Sequence, residues 1–223
     1  MRADLTGVTV IFDLDGTLID TADDLAAAMN HALSLAGRPT VPGGRVRHLV
    51  GHGARAMLAR GFEESGPAPS GADMDPHLAA FLDHYLAHIA DLSRPFAGMV
   101  EAADTLRAAG AKLAICTNKR EAPARQLIET LGLSALFETI VGMDTASAPK
   151  PDAAPVKLCL ERTAAVRGVF VGDSDTDIRA AAAAGLPCLV ADFGYGPLDL
   201  LDQASARFDD YKALPGLVAA ALR

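Results

Sequence analysis

The sequence predicts an α/β fold, a doubly wound parallel (Rossmann-like) sheet carrying an inserted all-helical cap. Short apolar runs alternate with helical segments from Leu92 to the end of the chain, the rhythm of right-handed strand-helix-strand crossovers. One further apolar run, Val8 to Phe12, stands apart near the start. Between it and Leu92 the pattern is helical throughout. Residues 1–20 and 92–223 are therefore assigned to the core and 21–91 to a cap, a lid over the carboxyl edge of the sheet.

The first strand holds Val8, Val10, Ile11 and Phe12, β-branched or aromatic residues in a run short enough for a strand buried on both faces. It stops at Asp13 and Asp15, beside Gly16, which permits a turn that residues with a Cβ resist. In the cap, Leu25, Met29, Leu33, Leu49, Met57 and Leu58 recur at helical spacing around a break from Arg38 to Gly44. Gly61 to Pro76 reads as a loop and Leu78 to Ile89 as another helix. Helix Val100 to Ala109 then leads through Gly110 into strand AKLAICT, and helix Glu121 to Leu131 carries Pro123 in its first turn. Strand ETIVG, helix Asp152 to Thr163, strand GVFVGD, a helix containing Ala180 to Ala184, strand CLVAD and a last helix near Leu214 to Leu222 complete the series.

With 223 residues, half of them hydrophobic, the chain can bury a full core. A net charge of -8 offers no broad basic surface, which argues against nucleic acid or an anionic membrane as partner. No apolar run approaches the roughly 18 residues of a membrane span, and the start lacks the charged and apolar regions of a signal peptide. Cys116, Cys159 and Cys188, odd in number and in apolar settings, read as reduced core thiols. A cytoplasmic protein is expected.

Other strands end in residues suited to phosphate and metal chemistry. AKLAICT runs into Thr117-Asn118-Lys119, GVFVGD into Asp173, Ser174, Asp175 and Asp177, and a loop carries Lys150 between two prolines. A parallel sheet brings such ends together, so Asp13, Asp15 and Asp173 would form a set of hard oxygen ligands of the kind Mg²⁺ prefers. Two unit charges 4 Å apart repel by about 4 kcal/mol at an effective dielectric near 20, so the cluster calls for a cation and for Lys150. A calcium loop fits neither acidic stretch: Ile178 and Leu18 fall where its glycine belongs, and Ala184 where its glutamate belongs. Asp177 or Asp152 taken singly also reads as a helix cap.

DLDGT, CTN, the lysine of APKPD and GDSDTD together resemble, in order and approximate spacing, the four motifs of the haloacid dehalogenase superfamily of phosphohydrolases. At finer grain DTADDLAAAMNHAL, VGHGARAML and the FGYG segment look like the phosphoglycolate phosphatase group. The resemblance implies that Asp13 is the nucleophile of an aspartyl-phosphate mechanism and Asp15 the acid and base. It implies a phosphoryl site of Gly16, Thr117, Asn118 and Lys150. It also implies Mg²⁺ held by Asp13, Asp15 through its carbonyl, and Asp173, with Asp177 orienting that shell. Asp15 favours a phosphate ester over a haloacid, because a halide leaves without a proton. The expected partner is a small phosphorylated metabolite, most simply 2-phosphoglycolate. A sugar phosphate, an amino-sugar phosphate, pyrophosphate or a catalytically silent phosphate-binding relative stand as alternatives. Monomer and homodimer both remain open.

All six histidines lie in the cap with Arg38, Arg45, Arg47, Arg55 and Arg60, and no lysine does. For a substrate carboxylate the candidates are Arg47 and His52, beside the Gly51-His52-Gly53 turn. His77, His84 and His88 could share a helical face suited to a transition metal or simply to solvent. Lys119 either joins the site or begins a helix.

Overall fold

A computed structural model describes residues 3–51 and 53–223 of the chain. Strand β1 is Val8–Phe12, followed by the two-residue β2, Ile19–Asp20. Helices α1, Ala22–Leu35, α2, Gly43–Val46, α3, Ala54–Glu63, and α4, Asp75–Ala87, come next. The chain returns through β3, Arg94–Pro95, and helix α5, Met99–Ala108, to β4, Lys112–Cys116. Then follow α6, Glu121–Thr130, β5, Thr139–Val141, α7, Ala154–Arg162, and β6, Arg167–Gly172. Helix α8, Asp175–Ala184, strands β7, Cys188–Ala191, and β8, Ala206–Phe208, and helix α9, Leu214–Ala221, end the series.

Six of these strands form one parallel sheet in the order β5-β4-β1-β6-β7-β8. The chain builds outward from β1 on one side, then crosses to the other, so the direction of winding reverses around β1. Such a reversal opens a crevice at the strands' carboxyl ends. Every residue of β1 is buried. Val8, Val10 and Phe12 join the apolar layer with α5, α6 and α9, while Ile11 joins Val156, Cys159, Ile178 and Ala181 of α7 and α8. Burial on both faces explains the near-continuous apolar run, since each such side chain contributes about 1.5–3 kcal/mol when fully buried.

Local chemistry sets several element ends. Helix α8 starts with a capping box in which Ser174 and Asp177 exchange hydrogen bonds with backbone N–H groups, and it stops at Gly185, φ 73°. Pro123 lies in the first turn of α6. Helix α7 begins at Ala154, two residues later than expected, because Asp152 Oδ1 accepts the Ala154 N–H at 2.7 Å in the turn before it. Neither β8 nor the antiparallel ribbon of β2 and β3 was legible beforehand, for Ala206-Arg207-Phe208 forms no apolar run and the ribbon has two residues in each strand.

That ribbon pairs Ile19 with Pro95 and Asp20 with Arg94, where the chain leaves the sheet toward α1 and comes back. Asp24, buried in the first turn of α1, accepts the Leu92 and Ser93 N–H groups and the Ser93 hydroxyl at 2.6–3.2 Å. A buried carboxylate with that many donors fastens the two crossings together. Helix α1 packs against α4, and Gly61 of α3 lets that helix approach Met29, whose sulfur would stand 2.6 Å from an added Cβ. No helix among the described residues is long and apolar enough to cross a membrane.

Candidate active site

The carboxyl edge gathers residues from three strand ends and one loop. Asp13 directly follows β1, and its backbone N–H donates to Val171 of β6 at 2.9 Å. Asp173 follows β6 and Thr117 follows β4. Lys150 arrives on the loop between β5 and α7, with its ammonium 2.9 Å from Asp13 Oδ1 and 2.7 Å from Asp177 Oδ1. Ligand oxygens of Asp13, Asp173 and Asp177 lie within 4.8 Å of one another, all on buried residues.

Each carboxylate is held differently. Asp13 Oδ1 accepts the Leu14 N–H at 2.7 Å and faces Lys150, which leaves Oδ2 as its free oxygen among the described residues. Asp173 accepts the Thr17 hydroxyl on Oδ1 and the Tyr195 N–H on Oδ2, both at 2.7 Å. Asp177 Oδ2 takes the N–H groups of Asp173 and Ser174 and the Ser174 hydroxyl, while Oδ1 takes Lys150. Asp177 is thus the helix cap that the sequence allowed, and it also anchors Lys150, a contact that the sequence did not reveal.

Burial pushes the Asp13 carboxyl up to about 8; Lys150 draws it down, while Asp177 and Asp173 add to the rise. Asp173 is raised to about 7 by burial and by Asp177, against its two hydrogen bonds. Burial disfavours the Lys150 charge, yet Asp13 and Asp177 hold it above the ordinary lysine value. One ammonium, paired with Asp13 and Asp177, among three buried carboxylates leaves negative charge uncompensated when they ionise, and a set of hard oxygen donors with that excess fits a small divalent cation.

Asp15 stands apart from this cluster. Its Oδ1 accepts the Thr21 hydroxyl at 2.7 Å and lies 3.0 Å from the Lys119 ammonium. Lys119 therefore belongs to the site rather than merely starting α6. Its ammonium also sits 4.7 Å from the centre of the Tyr85 ring of α4. Burial opposes its charge, but Asp15 and Tyr85 keep it above the ordinary lysine value.

Between the sheet edge and the helices lies a cavity of about 220 Å³ whose wall includes Asp13, Asp15, Thr117 and Asn118. Leu25, Leu78, Phe81 and Leu82 from the helices supply much of the rest. Asn118 donates from Nδ2 to Lys150 O at 3.1 Å and to Gly51 O at 3.4 Å, and its buried Oδ1 has no partner among the described residues. The Gly51 contact ties the segment before α3 to the sheet edge, and the bond from Gln126 Nε2 to Leu86 O, 3.1 Å, ties α4 to α6.

Other expected site residues stand elsewhere. Arg47 is paired with Asp20 at 2.6 Å and lies over the Tyr195 ring, and it is not part of the cavity wall. His52 lies outside the described residues. Gly16 is likewise not a wall residue; at φ 85° an added Cβ would meet Asp173 Oδ2 at 2.5 Å and Tyr195 Cδ2 at 2.8 Å. Its place in the site is to let Asp173 and Tyr195 close over the turn. His77 packs on Phe62, while His84 stacks between His31 and His88, so the three expected histidines do not share one cluster. Thr17, Thr21, Tyr85 and Tyr195 were missed. Tyr195 lies in the FGYG segment, whereas Tyr85 follows Phe81 by one helical turn and looks like core.

Residues 10–191 match the family described as haloacid dehalogenase-like hydrolase. The chain is 46% identical to the phosphoglycolate phosphatase of Caulobacter vibrioides over 195 residues, 86% of this chain and 82% of that one. It is 41% identical to that of Agrobacterium fabrum over 207 residues, 92% and 89% of the two chains. Among solved structures, a predicted phosphoglycolate phosphatase from Haemophilus somnus 129PT superposes with a TM-score of 0.86 at 25% identity, covering 95% of this chain and 98% of that one.

Proposed function

Since the chain belongs to the haloacid dehalogenase-like hydrolases, we propose that it is a Mg²⁺-dependent phosphatase that hydrolyses 2-phosphoglycolate to glycolate and phosphate through an aspartyl-phosphate. The observation that carries this reading is the asymmetry of Asp13, a residue of the cavity wall, which is anchored through Oδ1 by Leu14 N–H and Lys150 while Oδ2 has no partner among the described residues. A nucleophile needs one oriented oxygen. Relatives named phosphoglycolate phosphatase supply the substrate.

Asp13 Oδ2 attacks phosphorus and forms the new P–O bond as the ester oxygen leaves. Asp15, across the cavity wall, gives that oxygen its proton, so glycolate departs as an alcohol. Asp15 then takes a proton from water, whose oxygen attacks the phosphoryl group and frees phosphate and Asp13. Thr117, the amide of Asn118 and Lys150 stabilise charge on the phosphoryl oxygens in both steps. Mg²⁺, held by Asp13, the Asp15 carbonyl and Asp173, would shield the nucleophile from the phosphate dianion. Asp177 positions Lys150 and the Asp173 backbone rather than contacting substrate. Residues 21–91 act as the cap: their helices wall the cavity.

Phosphate release from 2-phosphoglycolate and from a panel of hexose phosphates, each with and without Mg²⁺, tests the reading. Turnover that requires Mg²⁺ and favours 2-phosphoglycolate in kcat/KM is expected. A preference for hexose phosphates overturns the substrate, and undiminished turnover in a chelator overturns the cation.

A further inference from the structure

The proposed substrate carries a carboxylate one methylene from the ester oxygen, and most of the cavity wall is apolar. Arg55, Lys119 and Arg120 are the basic residues of the described wall. Arg55 and Arg120 are largely exposed and paired with Asp75 and Asp144. Lys119 alone of these is buried, with 9% of its side chain exposed. Tyr85 offers a second feature: it is 2% exposed, lines the same cavity, and its hydroxyl has no hydrogen-bond partner among the described residues.

A buried phenol without a partner costs about 1–3 kcal/mol unless a ligand or water supplies one. Burial pushes this phenol up to about 12 despite the nearby Lys119 charge, so it is an O–H donor at neutral pH. An ammonium has three N–H groups. Asp15 and Tyr85 are the partners of this ammonium among the described residues, and Lys119 itself lines the cavity, so its third N–H remains for a ligand.

Resting on the phosphoglycolate reading, we propose that Lys119 and Tyr85 form the subsite that recognises the carboxylate of the leaving group. The placement suits the chemistry. Lys119 lies 3.0 Å from Asp15, the group that must reach the ester oxygen, so a carboxylate one methylene beyond that oxygen falls beside the ammonium. Lys119 comes from the sheet edge and Tyr85 from α4. The subsite thus spans both parts of the protein, and the carboxylate would draw them together. Specificity for a carboxylated phosphate ester arises here and not at Arg47, whose guanidinium is held by Asp20.

The test compares kcat/KM for 2-phosphoglycolate with that for 2-hydroxyethyl phosphate, an analogue of the same length with a neutral hydroxyl in place of the carboxylate, in the presence of Mg²⁺. The ratio separates recognition of the carboxylate from effects on the shared chemistry. Tyr85→Phe should lower the ratio about tenfold, and Lys119→Met by about a hundredfold, mainly through KM. Lys119→Arg should recover part of the loss. If Lys119→Met turns over too slowly, calorimetric affinity of Asp13→Asn for 2-phosphoglycolate, with and without the second substitution, reads the same subsite. A wild-type preference that survives both Tyr85→Phe and Lys119→Met overturns the subsite and leaves the substrate intact. A wild-type ratio near one overturns the substrate itself.

Discussion

The Lys150 ammonium lies 2.9 Å from Asp13 Oδ1, although the two residues are separated by most of the chain. It is 2.7 Å from Asp177 on its other side, and 2% of its side chain is exposed. Lys150 is thus the protein's own counter-charge to the carboxylate cluster, and it selects which oxygen of Asp13 remains free.

Replacing Asp13 by Asn removes the nucleophilic oxygen while keeping shape. Hydrolysis should fall by at least about 10³-fold, with the melting temperature in chelator unchanged or raised because one of three crowded carboxylates loses its charge. Phosphate release and thermal melting read the two effects. Near-normal turnover would exclude Asp13 as the attacking group.

Lys150→Met leaves Asp13 and Asp177 buried without their cation. Removing one partner of a buried ion pair costs about 3–5 kcal/mol, so the urea midpoint in chelator should drop accordingly, and Mg²⁺ should restore part of it. A variant as stable as the parent in chelator would contradict the assigned electrostatics.

Gly16→Ala forces a Cβ to 2.5 Å from Asp173 Oδ2 at a φ of 85°. Asp173 must then move, and apparent Mg²⁺ affinity in the activity assay should weaken by about 10–100-fold. Unchanged Mg²⁺ dependence would mean that Asp173 is not a ligand.

Asp13 and Asp173 are raised by burial to about 8 and about 7. The folded chain therefore keeps protons that the unfolded chain has already released near pH 4. This contribution to stability is full below that pH and is lost progressively as pH rises from about 4, the loss being complete once pH has passed the folded values of about 7 and about 8. Melting in chelator should fall across that window, while the stabilisation by millimolar Mg²⁺ should grow, since the ion binds the ionised carboxylates. A Mg²⁺ shift that does not increase from pH 5 to pH 8 would count against the site.

Much of the fold was legible because the signals are local. Val8 to Phe12, LAIC and VFVG are apolar runs that only a doubly covered sheet can bury, and the residues at their ends, Asp13, Thr117 and Asp173, follow from position alone. The short strands β2, β3 and β8 were not legible, for their pairing comes from neighbours and not from their own pattern.

The sequence by itself determined the central strands, the kinds of groups at their carboxyl ends, and the excess of acid that calls for a cation. Tertiary structure alone decided how the cations are distributed: Lys150 to Asp13 and Asp177, Lys119 to Asp15, Arg47 to Asp20. It also decided that Tyr85, one turn beyond Phe81 on an otherwise ordinary helix, would face the cavity. The physical reason is range. Periodicity and turn chemistry act between near neighbours in the chain, whereas these ion pairs form only where folding brings distant segments within about 4 Å.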